Sequence, residues 1–294
     1  MAPIYPRSYS KNDIEALAKA VHDEIYSIEN TLKRRGYEYA GPGSEDSLVF
    51  PKDMSSKNID MLFKHMDSRT FRNILKDVAV RKQNILQDNY KSDCGSAKLS
   101  DYFNFLHSTR IIKYDDNSAC YYLATKADNF GPSLEWYVSE LFKRELSSTA
   151  DWGVKVEGFK PGGDFDVLAR VEATLVYVET KSTRPQDISE KEIRNFLQRD
   201  QNLEPNMSIF LVDTRDNLAS LVQDFERIIT PKKYDIRQLP DFGGIYYLLR
   251  RIFIINSEPS ILAKLRHCLR YFFGEVPYIT YFSRNERLDF LDQY

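Results

Sequence analysis

The 294-residue chain is poor in cysteine and histidine, and it has almost no net charge. Cys94, Cys120 and Cys268 are an odd number far apart in sequence, so no disulfide framework is encoded, and no Cys/His spacing matches a zinc site. Reduced thiols fit a cytoplasmic protein. His22, His65, His107 and His267 are scattered, with no acid or cysteine placed to complete a triad. A formal charge of −2 and a pI near 6.2 give no global attraction to phosphate, which excludes a histone-like binder and makes any basic surface local. No apolar run approaches the roughly 20 residues that span a bilayer, and the first residues lack the apolar core of a signal peptide. The expectation is a soluble, intracellular protein.

What is present suffices for folding. Hydrophobic residues make up 42% of the chain, and 19 Tyr and 18 Phe supply large core side chains. The length favours more than one unit. Ser10 is a plausible N-cap, after which Ile14, Leu17, Ala18, Val21, Ile25, Ile28 and Leu32 recur at helical spacing until Gly36, predicting one amphipathic helix whose apolar stripe is core or an oligomer seam. A polar stretch over 41–56 reads as a loop. Phe71, Ile74, Leu75 and Val78 mark one helix, and Leu99, Tyr102, Phe103 and Leu106 another. Apolar runs at 110–114 and 119–124, separated by Asp115-Asp116-Asn117-Ser118, predict a hairpin. Helices ending in a two-stranded wing resemble a winged helix. Lys64, Arg69, Arg72, Lys76, Arg81, Lys82, Lys91, Lys98, Arg110 and Lys113 make this segment modestly basic, which fits phosphate contact, although a solvated helical bundle accounts for it equally well.

Beyond residue 130 the pattern changes. Gly131-Pro132-Ser133 opens a helix over 134–146, and then come strands at 154–159, 165–171 and 175–181, a helix at 189–203, a strand at 207–212, a helix at 217–229, a strand at 245–255, a helix at 259–273 and a last apolar run at 278–282. The fold class expected is α/β (α+β), a mixed sheet flanked by helices, preceded by a helical region. The units read as a helical arm and loop over 1–57, a winged-helix-like domain over 58–129, and an α/β domain over 130–294.

The residues able to carry chemistry lie in Gly162-Gly163-Asp164-Phe165-Asp166-Val167-Leu168-Ala169 and Leu175-Val176-Tyr177-Val178-Glu179-Thr180-Lys181. Side chains alternate along a strand, so Glu179 and Lys181 share one face and Thr180 points to the other. Glu179 follows Val-Tyr-Val, where burial is predicted, and a buried carboxylate without a partner costs several kcal/mol. If the two strands form a hairpin, Asp166 lies beside Glu179, and two carboxylates so placed repel unless a cation lies between them. Hard oxygen ligands suit Mg²⁺ or Mn²⁺, which accept phosphate oxygens as further ligands. Lys181 is then placed to orient a water and to offset charge in a phosphodiester transition state.

This pattern resembles the PD-(D/E)xK, or restriction-endonuclease-like, nuclease superfamily, over roughly residues 130–215. The residues that carry the resemblance are Asp166 and the Glu179-Thr180-Lys181 triplet, and the Mrr-type restriction endonucleases with an N-terminal winged helix are the nearest branch. It implies a Mg²⁺- or Mn²⁺-dependent endonuclease acting on nucleic acid, most often DNA, in restriction or anti-phage defence, as a monomer or homodimer. It further implies a helical glutamate at the metal, Glu135 with Glu140 as the alternative, so that Asp166, Glu179, Glu135 and Thr180 surround the ion. Phe165 stands where the family's proline would be, and Asp164 is a second acid that leaves the ligand ambiguous. Arg194, Gln198 and Arg199 on the following helix are candidates for substrate contact. A lone Glu-x-Lys would carry nothing, since exposed ion pairs contribute well under about 1 kcal/mol. The rival expectation is a nucleic-acid-binding or sensor protein that keeps a degenerate nuclease fold.

Overall fold

The computed structural model describes residues 10–81, 85–91, 94–159, 162, 164–229, 235–239 and 242–275. The expected strand at 278–282 and Gly163 lie outside these residues.

The chain opens with α1 (Lys11–Tyr26) and α2 (Ile28–Arg34), then β1 (Tyr39–Gly41). The helical region comprises α3 (Ser56–Met66), α4 (Arg69–Arg81) and α5 (Ser96–Ser108), followed by a hairpin of β2 (Ile112–Asp115) and β3 (Cys120–Leu123). Next come α6 (Gly131–Glu145), β4 (Thr149–Val156), β5 (Asp164–Val171), β6 (Thr174–Lys181), α7 (Glu190–Leu203), β7 (Met207–Val212) and α8 (Ala219–Ile229). The described chain closes with β8 (Arg237–Gln238), β9 (Ile245–Leu248), β10 (Ile252–Asn256) and α9 (Ile261–Glu275).

Eight strands form one mixed sheet in the order β1-β4-β5-β6-β7-β10-β9-β8. The first four are antiparallel neighbours, β6, β7 and β10 run parallel, and the far edge is antiparallel again. Both faces are covered. Helices α3, α4, α5, α6 and α9 share one core with Val167, Ala169, Val176, Val178, Ile209 and Leu211, while α2, α7 and α8 pack against Leu168, Leu175, Tyr177, Phe210 and Ile254. Double coverage explains why β7 is buried at every residue and reads as a continuous apolar run instead of an alternating one. Full burial of each such side chain contributes roughly 1.5–3 kcal/mol.

Three expectations need correction. The N-terminal helix is two helices, because Ser27 is extended and its side chain accepts a hydrogen bond from the Asn30 amide, capping α2 afresh. The apolar stripe ends in consequence: Ile28 and Leu32 are buried, whereas Ile14, Leu17, Val21 and Ile25 are exposed. The segment 245–255 is a hairpin, reversed at Leu249 and Arg250, both at positive φ. The polar stretch 41–56 is not wholly a surface loop, because Leu48, Val49 and Phe50 enter the core.

One irregularity matters for the site. Trp152 belongs to the α6 side of the sheet and Val154 to the opposite side, although residues two apart in a regular strand share a face. Gly153, at φ +56°, lies between them, and across the ladder Val167 pairs with Trp152 and Phe165 with Val154. Asp166 therefore sits where the pleat changes sides.

Candidate functional site

Strand register brings the first two acids together. Val167 lies opposite Val178, and continuing that antiparallel ladder by one residue sets Asp166 against Glu179. Asp166 Oδ2 accepts the Thr180 amide at 2.7 Å and the Thr180 hydroxyl at 3.3 Å. Glu179 is buried, with 3% of its surface exposed. Its Oε1 accepts from Lys181 Nζ at 3.0 Å, and its Oε2 accepts from Arg199 Nη1 at 2.8 Å and from the Tyr177 hydroxyl. Tyr177, Glu179 and Lys181 share a face because they alternate along β6.

Helix α7 supplies the other wall. Ser189 and Glu192 form a reciprocal capping box, and Glu192 Oε1 also lies 3.4 Å from Lys181 Nζ. Glu192 and Arg199, seven residues apart, fall on one helical face. Arg194 and Gln198 are rotated away from it: Arg194 faces Glu190 at 3.9 Å, and Gln198 lines a separate hollow with Tyr37, Phe159 and Asn202. Of the three residues expected to contact substrate, Arg199 holds Glu179.

Glu135 approaches from α6 on the other side of the sheet. A Cβ added to Gly153 would lie 3.6 Å from Glu135 Oε2 and only 2.7 Å from the Gly43 Cα, so the close packing of the loop, β4 and α6 depends on the two glycines. No hydrogen bond or ion pair reaches the Glu135 carboxylate from the described residues. Burial, then the charges of Asp166 and Glu179, push its pKa up to about 9. Burial and Glu179 likewise raise Asp166, to about 7, against the opposing pull of Lys181 and the Thr180 amide. For Lys181, burial favours the neutral amine, but Glu179 and Asp166 outweigh it and hold the ammonium protonated. The other helical candidate, Glu140, is tied to Arg144 at 2.6 Å and Lys143 at 3.2 Å. Asp164 is exposed at the end of β5 opposite Lys155.

The donor chemistry is oxygen only, which suits a hard divalent cation held through one or two carboxylates with waters completing the shell. Among the described residues no group of three or more His, Cys, Asp or Glu side chains is assembled that could by itself hold a metal. Glu135 and Asp166 are the acids whose charge is least compensated, whereas both Glu179 oxygens are engaged. Tyr177 and Glu192 are parts of the cluster that sequence reasoning missed. The Ser189-x-x-Glu192 spacing could have signalled the second, and the strand alternation Tyr177-x-Glu179 the first.

No helix among the described residues is long and apolar enough to cross a membrane. No protein-family model and no curated sequence matches the chain. Among solved structures, protein VC1899 from Vibrio cholerae is similar with a TM-score of 0.48 and 15% identity, over 84% of this chain and 61% of that one. Can2 from Sulfobacillus thermosulfidooxidans, solved in complex with cyclic tetra-adenylate, is similar with a TM-score of 0.48 and 13% identity, over 84% of this chain and 60% of that one. The chain spans about three-fifths of the length of these two structures.

Proposed function

We propose that the chain is a metal-dependent nuclease of the PD-(D/E)xK type, with Glu135 and Asp166 holding Mg²⁺ or Mn²⁺ beside Glu179. The observation that carries this is the Glu135 carboxylate, half-buried, without a hydrogen bond or ion pair among the described residues, and close enough to Asp166 and Glu179 for their charges to raise its pKa. Like charges are gathered this way at a stability cost, and a cation between them removes it. When bound, the ion would polarise a phosphate oxygen and acidify a coordinated water.

The remaining roles belong to the chain's own groups. Lys181, kept protonated by Glu179 and Asp166, is a donor and not a general base, so it orients the attacking water and offsets charge on the phosphate oxygens. Thr180 fixes the Asp166 carboxylate through its amide. Arg199 and Tyr177 fix Glu179, and Arg199 is a positioning residue. The α3–α5 helices and the hairpin form a winged-helix-like substrate-binding region, the expected unit over 58–129. DNA is the expected substrate, the setting restriction or defence, and a homodimer or monomer the active form.

One observation favours a second reading, a nucleic-acid-binding protein that does not cut: both Glu179 oxygens are already occupied by Lys181, Arg199 and Tyr177. Cleavage of plasmid DNA, single-stranded DNA and RNA with Mg²⁺ or Mn²⁺ distinguishes the two. Cutting that stops with EDTA and falls at least about a hundredfold in Glu179→Ala and Lys181→Ala supports the nuclease. Equal cutting by wild type and both variants removes the site assignment, and binding without cutting selects the second reading.

A further inference from the structure

Basic residues of α3, α4 and α5 converge with Arg184 on one surface. Two hollows, each of about 470 Å³, lie over the carboxyl ends of the parallel strands β6, β7 and β10, touching Ser182, Asp213, Thr214 and Ser257. Lys64 and Lys98 line one, Lys76 and Arg184 line the other, and Arg69 lines both, so the two join into one trough. None of these five cations has an ion-pair partner among the described residues. Two of the five acids in the walls are spent: Asp213 is paired with Arg72 at 2.7 Å, and Glu258 with Arg215 at 3.2 Å. Asp67, Asp101 and Asp216 remain, leaving an excess of positive charge.

Two further observations point to an anionic occupant. Arg69 Nε is enclosed and has no hydrogen-bond partner, although a buried donor is ordinarily satisfied. The trough also occupies the place where open α/β sheets bind ligands, outside the carboxyl ends of parallel strands. Lys76 donates to the Ser182 carbonyl, so one wall of the trough is tied directly to the residue after Lys181.

We propose that this trough binds the sugar-phosphate backbone of a nucleic-acid strand and leads it past Ser182 to Lys181. The destination rests on the nuclease reading above, but the binding surface does not. The lining is mostly polar, with Tyr102 and Pro259 as its main apolar groups, so it contacts phosphates and carries little base recognition.

Anisotropy of fluorescein-labelled single- and double-stranded oligonucleotides, measured in EDTA with the full chain, tests the trough without cutting. Wild type is expected to bind with a steep salt dependence. Lys98→Glu with Arg184→Glu, two exposed positions outside the core, is expected to weaken binding at least about a hundredfold and to lower the log–log salt slope by about 2. Arg69→Met is expected to weaken it about tenfold. Lys11→Glu on α1, outside both the trough and the helical region, is the control. Failure of wild type to bind, unchanged binding in the Lys98/Arg184 variant, or a larger loss in Lys11→Glu overturns the proposal. Loss of binding in the trough variants of a protein that never cuts sustains the trough and removes the nuclease.

Discussion

Arg72 on α4 and Asp213 at the end of β7, 141 residues apart, form a two-pronged ion pair, with Arg72 Nε and Nη2 donating at 2.8 and 2.7 Å. Both are buried, and Arg72 Nη1 also donates to the Met66 carbonyl at the end of α3. The pair thus fastens the helical region onto the carboxyl ends of the parallel strands. The Asp213 amide in turn donates to the Lys181 carbonyl at 2.8 Å, linking the clasp to the strand that carries the candidate site.

Removing one partner strands the other charge in the interior. Asp213→Ala is expected to cost about 3–5 kcal/mol in urea unfolding, and Arg72→Met with Asp213→Leu much less, because no lone charge remains. Burial alone would raise the Asp213 pKa, but Arg72 outweighs it and holds the group below its ordinary value. Its contribution is therefore present above about pH 4 and is lost as pH falls through the lower folded-state value. Wild type should lose more stability than the double variant on acidification below pH 4, and equal acid sensitivity would contradict the clasp.

Glu135 titrates in the opposite sense. Its folded-state pKa is raised to about 9, so the stability associated with its neutral form is complete below its ordinary value of 4.5 and is lost as pH rises toward 9. In the absence of metal, Glu135→Gln should melt higher than wild type, by a margin that widens from pH 5 to pH 9. Mn²⁺ should raise the melting temperature of wild type far more than that of the variant. A margin independent of pH would refute the charge-crowding argument.

Lys264 on α9 is fully buried, its ammonium donating to the Gly243 carbonyl and lying 4.8 Å from the Phe242 ring centre. Burial lowers its pKa to about 8 from 10.5. A depressed lysine destabilises the folded state at pH 7 and ceases to do so as pH rises through 10.5. Lys264→Met is accordingly expected to be the more stable protein at pH 7, with the advantage shrinking between pH 8 and 10. Denaturant titration at the two ends of that interval checks the sign.

Where β4 crosses the 41–43 loop, Gly43 and Gly153 leave no room for side chains. A Cβ on Gly43 would fall 2.2 Å from the Trp152 ring, and the Gly43 amide donates to the Trp152 carbonyl at 2.8 Å. Gly43→Ala and Gly153→Ala are each expected to cost about 1–3 kcal/mol. Because Glu135 and Asp166 are placed by this crossing, both variants should also blunt the Mn²⁺-induced rise in melting temperature. An unaltered metal response alongside the stability loss would detach the glycines from the site.

Local patterning made the central strands readable. The apolar run that follows Asp166 and the one that ends in Glu179-Thr180-Lys181 appear as neighbouring antiparallel strands, since burial on both faces leaves little alternative to a strand for so short a run. The edge strands β1 and β8, of three and two residues, are too short to leave a periodic trace. The break at Ser27 was hidden because the apolar repeat continues through it, although serine is itself a capping residue. Arg72 carried no mark separating it from its basic neighbours, yet it is buried while Lys64 and Lys98 are exposed.

The sequence by itself determined which acids could meet: period-two alternation and a short link between β5 and β6 leave Asp166 opposite Glu179 and put Lys181 on the Glu179 face. Only the tertiary structure decided how those charges are balanced. Arg199 from α7, Glu135 from α6, the Gly153 crossing and the Arg72–Asp213 clasp are set by which helices cover which face of the sheet. That choice depends on packing between segments distant in sequence, whose energies are not written in any local pattern.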